Sequence, residues 1–403
     1  MLTQLSPNKQ KLLVRMRELA QAEFFPRATQ YDVSAAFPKE NVKALQRAGL
    51  LAPTLANQYG GLGLGHHKGD IFTHWMLTKE IGKADMAFAR IWEGQANALL
   101  LIDNLGAEAQ KERWGRGVVE NGELWSVWSG EPQSKKPGQK KAIGTTVQEL
   151  PNGYIINGSK VFCSGAAGVD RAILLVNTEG TGAARHATQS PETVIMLACD
   201  MSDESIQLDD AWWNPMGMRA STSWRVLFNN TFIPKENLIG KAGDFLSGEW
   251  QTRFTPQYMA SFLGGAEHAY DYALNYIHTQ KKGHDAYIQH RIAKMSINIR
   301  TANLWLRHVA TLWESGDIKA AKLEGSYARY LIEQLVMECL THAIHICGAR
   351  CLIRPSSLER VYRDASFYAR HDNDDQVLAM IGKNLLGETH DISFFKDSSS
   401  PKQ

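Results

Sequence analysis

Cysteine is scarce in this 403-residue chain, the net charge is close to zero, and no apolar run approaches the length of a membrane span. The five cysteines (Cys163, Cys199, Cys339, Cys347 and Cys351) are odd in number and lack the paired spacing of a disulfide framework or a zinc site. Cys347 and Cys351 can share one helix face, but buried reduced thiols are expected, and no bound metal. A formal charge of +2 gives no reason to invoke nucleic acid or an anionic membrane surface as partner. Residues 1–20 lack the basic start and apolar core of a secretory signal, so a cytoplasmic protein is expected. The glycine-rich tract at residues 59–65 has no strand pattern before it and no Lys-Ser or Lys-Thr after it. As a nucleotide-binding loop it is a poor candidate.

What is present divides the chain by period. A length of 403 residues suits two or three packed domains rather than one core. Apolar residues recur at helical spacing through 8–24, 38–48, 70–83, 85–102 and 107–117, which predicts a helical domain over residues 1–122. From Glu123 the period shortens. Leu124–Trp128, Ala172–Val176, Thr193–Leu197 and Trp224–Phe228 have strand composition, and Tyr154–Phe162 reads as two strands across an Asn157-Gly158 turn. A central β domain is expected over 123–240, interrupted by polar loops at Gln133–Lys141 and Thr178–Glu192. Long amphipathic stretches at Met259–Ile277, His290–Trp313 and Ile318–Ile346, with the terminal segment, predict a four-helix bundle over 241–403. The fold class is α+β.

One stretch concentrates titratable groups. Within Arg360–Gln376 lie Arg363, Asp364, His371, Asp372, Asp374 and Asp375. Such a run is either a solvated helix end or a site that sets one carboxylate against a substrate carbon as a base.

Tyr362-Arg363-Asp364-Ala365, Tyr368, an acid at 372 and Gln376 together resemble the C-terminal signature of the acyl-CoA dehydrogenase superfamily. In that signature Asp372 stands at the family's catalytic glutamate, Asn373 at its glycine, Asp374 at its threonine and Gln376 at its glutamine. A second cluster agrees: Gly217–Gly240 resembles the family's arginine-serine strand and its exit, and Arg219 there is a substrate-binding candidate. Glu131-Pro132 is similar to the family's glutamate-proline pair, which puts Ser129 and Gly130 near a flavin. Lys160–Gly165 falls beside it, so the resemblance implies that Phe162 covers the isoalloxazine edge and Ser164 bonds near N5. His345, Gly348 and Ala349 stand where relatives present backbone to a neighbouring subunit's cofactor. Two departures matter. The glycine-serine-aspartate run expected after Pro132 is replaced by Gln133–Lys141, whose Lys135, Lys136, Lys140 and Lys141 could meet a CoA phosphate. Asp372 is also one methylene shorter than glutamate.

The resemblance implies FAD between the β domain and the C-terminal bundle, in a homotetramer built as a dimer of dimers. Two chemistries follow from it. In the first, Asp372 removes an α-proton from an acyl-CoA or similar acidic substrate while hydride passes to flavin N5, with an electron-transfer flavoprotein as partner. In the second, Arg370-His371-Asp372 resembles the histidine-aspartate pair of the superfamily's monooxygenases. There reduced flavin, FMN or FAD, is delivered by a flavin reductase and reacts with O2 through a C4a-hydroperoxide, with His371 and Ser164 at the site. A flavin-free binding paralogue is the third alternative.

Overall fold

The computed structural model describes residues 5–65, 70–132, 144–178, 193–371 and 373–388. Asp372, the lysine-bearing tract from Gln133 to Lys141 and residues 179–192 lie outside them.

Helix α1 (Pro7–Leu19) begins on a proline, whose missing N–H costs nothing at that position, and passes through one wide turn into α2 (Phe25–Ser34). α3 (Lys39–Arg47) follows. α4 (Ile71–Ala84) and α5 (Met86–Leu105) are each started by an aspartate, Asp70 and Asp85, that accepts from the third residue onward. Both are buried around nearly their whole circumference, as expected of helices wrapped by others. α6 (Glu108–Asn121) closes the block at Gly122.

An eight-stranded sheet comes next: β1 (Trp125–Trp128), β2 (Thr146–Leu150), β3 (Gly153–Cys163), β4 (Arg171–Asn177), β5 (Val194–Asp200), β6 (Ile206–Asp209), β7 (Trp224–Pro234) and β8 (Leu238–Ile239). The order is β6-β7-β3-β2-β4-β5-β8, and β1 pairs with β4 in parallel. One expectation is overturned. Tyr154–Phe162 is a single strand, because β3 pairs with β7 on both sides of Asn157-Gly158. The register shift there is a bulge, with the Asn157 amide bonded to Asn230. The hairpin turn lies instead between β2 and β3, at residues 151–152.

After α7 (Asp244–Ser247), three helices of thirty residues each, α8 (Trp250–Thr279), α9 (Ala286–Ser315) and α10 (Ile318–Cys347), pack along one another. α11 (Ser357–Tyr368) lies against α8, and α12 (Asp374–Leu385) against α10. α4 packs along α8, so the first helical block and the last share one core. No helix among the described residues is long and apolar enough to cross a membrane.

Candidate active site

The Arg363-Asp364 pair is a clamp that joins three parts of the chain. The Arg363 guanidinium donates to both oxygens of Asp32 on α2 (3.0 and 2.6 Å), to Glu359 one turn back, and to the Met216 carbonyl (2.8 Å). Asp364 accepts from the Met218 backbone N–H at 2.6 Å. Between these contacts sits Gly217, whose added Cβ would collide with the Arg363 carbonyl oxygen. Arg219 belongs to the same assembly: its Nε donates to the Asp32 carbonyl at 2.9 Å. Burial pushes the Asp364 carboxyl up to about 7, against the opposing charge of Arg360. Its raised folded-state value means that Asp364 favours folding most below its unfolded value near 4 and loses that contribution as pH rises to about 7. The Asp364→Asn variant should therefore lack part of the wild-type fall in unfolding free energy over that window, measured by urea titration at stepped pH.

The turn that follows carries the reactive candidates. Tyr368, buried at the end of α11, stacks on Phe262 (5.2 Å) and meets Tyr258 (5.8 Å), both from α8. His371 lies against the same two tyrosines, with ring centroids 5.7 Å from Tyr368 and 5.9 Å from Tyr258. The Tyr368 hydroxyl donates to Glu93 Oε2 on α5 at 2.5 Å, and Arg90 approaches the same oxygen at 3.4 Å. On the other side Arg329 donates to the Tyr258 hydroxyl and to Asp374 (3.0 Å), while Arg370 donates to Glu333 (3.1 Å). Burial raises Glu93, and burial with the nearby charge of Asp374 raises Glu333 to about 7. Asn373 caps α12 by accepting from the backbone N–H groups of Asp375 and Gln376.

A row of aromatic rings ties α11 to the sheet. Phe162 has a left-handed backbone (φ 54°) at a second register shift of β3, between Lys160 and Cys163, and is 56% exposed. Its ring meets Trp212 edge-on at 4.9 Å; Trp212 stacks on Trp213, and Trp213 meets Phe367 at 5.7 Å. Ser164 is buried, its hydroxyl 2.9 Å from that of Ser223 and its carbonyl accepting from the Trp128 indole. Gly130 is pressed against the Val161 carbonyl with no room for a Cβ. Below it, fully buried Lys160 is held by Glu131 and the Leu175 carbonyl.

The family model for the acyl-CoA dehydrogenase N-terminal domain matches residues 6–121, and that for the C-terminal domain matches 255–384. The chain belongs to the acyl-CoA dehydrogenase superfamily. Among its relatives, cyclohex-1-ene-1-carbonyl-CoA dehydrogenase of Geobacter metallireducens is 27% identical over 394 residues, covering 94% of this chain and 98% of that protein. Dibenzothiophene monooxygenase of Mycolicibacterium goodii is 25% identical over 387 residues, covering 88% and 89%. Two solved structures share the fold: dibenzothiophene monooxygenase of Paenibacillus sp. A11-2 (TM-score 0.82, 21% identity, 96% and 100% covered) and butyryl-CoA dehydrogenase of Megasphaera elsdenii (0.79, 21%, 95% and 99%).

Within this member of the superfamily, one chain gathers some of the expected residues and leaves others apart. Ser129, Gly130, Phe162 and Ser164 meet at the edge where β1 passes β3, and the aromatic row leads from there to Phe367 on α11. Asp374 is half-buried in an ion pair with Arg329, and Gln376 is exposed on α12. His345, Gly348 and Ala349 are exposed at the far end of α10. Twelve residues separate Glu333 from His345, about 18 Å at the helical rise. Sequence reasoning missed Arg90 and Glu93, and a signal was available: they are the two charged residues in the otherwise apolar or neutral first half of α5.

Proposed function

We propose that this chain is a flavin-dependent oxidoreductase that works as a monooxygenase on a small molecule, with His371 as the proton donor of the site. The observation that carries the reading is the state of the groups around His371. It faces two tyrosines, one of them bonded to a carboxyl that burial pushes up, while Asp374 is held by arginines. These are neighbours for delivering a proton rather than for removing one from carbon. Inserting one atom of O2 into a substrate sends the other to water, which requires a proton at the departing oxygen. In this reading His371 gives it, with Ser164, hydrogen-bonded to Ser223, on the sheet side.

The residues present fit a flavin. Phe162 offers a ring face at the second register shift of β3, Ser164 a buried hydroxyl, and Ser129-Gly130 a close-packed backbone free of bulk. The bound flavin, FMN or FAD, supplies the electrons, and a flavin reductase is the implied partner. His345, Gly348 and Ala349, exposed at the far end of α10, stand where relatives serve a neighbouring subunit's cofactor, so a homotetramer is part of the proposal. Exposed Ile297 and Leu304 on α9, seven residues apart on one face, support self-association. All five cysteines are buried and unpaired, which suits the cytoplasm.

A second reading has its own support. Asp372 keeps the register of the superfamily's catalytic glutamate, and the CoA dehydrogenase relative aligns over 94% of the chain. In it Asp372 takes an α-proton, Arg219 and the lysines from 135 to 141 are candidates toward the substrate and its CoA, and an electron-transfer flavoprotein is the partner. The deciding test is to reduce the flavin-loaded protein anaerobically and mix it with air-saturated buffer. Biphasic reoxidation supports oxygenation. Monophasic slow reoxidation, with bleaching by acyl-CoA thioesters, supports dehydrogenation. Gly130→Ala, which drives a methyl into Val161, should lower flavin retained after gel filtration several-fold while leaving the helical circular-dichroism signal unchanged.

A further inference from the structure

An exposed side chain stands where the backbone beneath it is held. His371 is exposed just beyond the end of α11. Its ring contacts with Tyr258 and Tyr368, at 5.9 and 5.7 Å, place the imidazole but do not anchor the chain that carries it. The residues flanking it are tied by charge. Arg370, immediately before, reaches a Glu333 oxygen at 3.1 Å; its own side chain is 67% exposed, that of Glu333 only 2%. Asp374, three residues after, accepts from Arg329 at 3.0 Å and lies 3.8 Å from Arg370. Arg329 and Glu333 are one turn apart on α10, 3.6 Å from each other, and Arg329 also donates to the Tyr258 hydroxyl. One turn of α10 thus grips both flanks of His371 and one of the two rings it lies against.

We infer that Arg329 and Glu333 are positioning residues, which latch the turn carrying His371 to α10 and so set where its imidazole stands. The inference rests on the proposed function only in taking His371 as the acting group. The cost of the arrangement points to this role. Arg329 and Glu333 are taken almost wholly out of water, and for stability alone well-packed apolar side chains of similar volume usually serve as well or better. Charged hydrogen bonds add direction, which apolar packing lacks. Direction is what a proton donor needs, since displacing a catalytic group by about an ångström costs on the order of 10²-fold. The clamp of Arg363 and Asp364 acts on α11 itself, ahead of Tyr368; the latch on α10 acts beyond it.

The test uses flavin-loaded protein carrying histidine labelled with carbon-13 at Cε1. Spectra are taken at pH 8, above the ordinary titration range of histidine and above the value of about 7 to which Glu333 is raised. The His371 resonance is the one absent from His371→Gln. In wild type, ring currents of the two tyrosines should displace it from the exposed histidines. Glu333→Gln and Arg370→Met should each return it toward them, and Arg370→Lys, which keeps the charge, should leave it near its wild-type place. The fast phase of reoxidation should fall about tenfold in Glu333→Gln and in Arg370→Met, within the 10²-fold scale of a misplaced group. The double variant should be no slower, as for two residues that act as one unit. Flavin content and urea midpoint should stay close to wild type. A His371 resonance that stays in place in both single variants, or a double variant whose loss is the product of the two, overturns the latch. If Glu333→Gln does not fold, Arg370→Met, made at an exposed side chain, decides by the resonance alone. A wild type without a fast phase sinks the proposed oxygenation, and the resonance still decides the latch.

Discussion

His371→Ala lowers turnover by about 10²- to 10⁴-fold, the range supplied by a positioned proton donor, while Asp372→Asn stays within about tenfold of wild type. This contrast is the expected result if oxygenation is the reaction. The imidazole is replaceable only by a group that can hold a proton at the same place, against the same two tyrosine rings. The measurement is single-turnover reoxidation of the reduced, flavin-loaded variants, with flavin content determined first so that lost cofactor is not mistaken for lost chemistry. The reverse pattern, an inert Asp372→Asn beside an active His371→Ala, would return the enzyme to the dehydrogenases. In that case the shorter acid must be compensated by its surroundings, because displacing a catalytic group by about an ångström costs on the order of 10²-fold.

The second large effect is on stability. Arg363→Ala should destabilise the protein by about 3–5 kcal/mol, the usual consequence of removing one member of a buried charge network. Arg363 is buried together with Asp32 and Glu359, and its loss strands both carboxylates and the Met216 carbonyl. Urea unfolding followed by tryptophan fluorescence measures it. Arg363→Met combined with Asp32→Leu, which removes the uncompensated charge on α2, should recover part of the loss. If the single variant unfolds with wild-type midpoint and slope, the clamp is not a source of stability.

The architecture was largely legible in the sequence because helix and sheet periods alternate in long blocks. The helices α4, α5, α9 and α10 lie close to where their apolar periods placed them. The Asn157-Gly158 pair misled because the dipeptide favours both tight turns and bulges, and only the partner strand β7 decides between them. The site was half legible. Its turn stood out by charge density, yet nothing in the order of residues separates Arg363 and Asp364, which hold the scaffold, from His371, which faces the aromatic rings. That division depends on Asp32, 331 positions earlier in the chain. Glu93 was overlooked for a related reason: with Arg90 it breaks the apolar first half of α5, but its partner Tyr368 is 275 residues away.

The spacing between the clamp and the reactive turn has a consequence for how such proteins diversify. Asp364 and His371 are seven residues apart, and α11 ends between them at Tyr368, so the clamp at Asp32, Met216 and Met218 holds the helix ahead of the turn that carries His371. Lineages carrying this scaffold can exchange the acid or imidazole at the tip by ordinary point mutation while the anchorage stays untouched. One ancestral framework can in this way give rise to enzymes that take hydrogen from carbon and enzymes that add oxygen to a substrate.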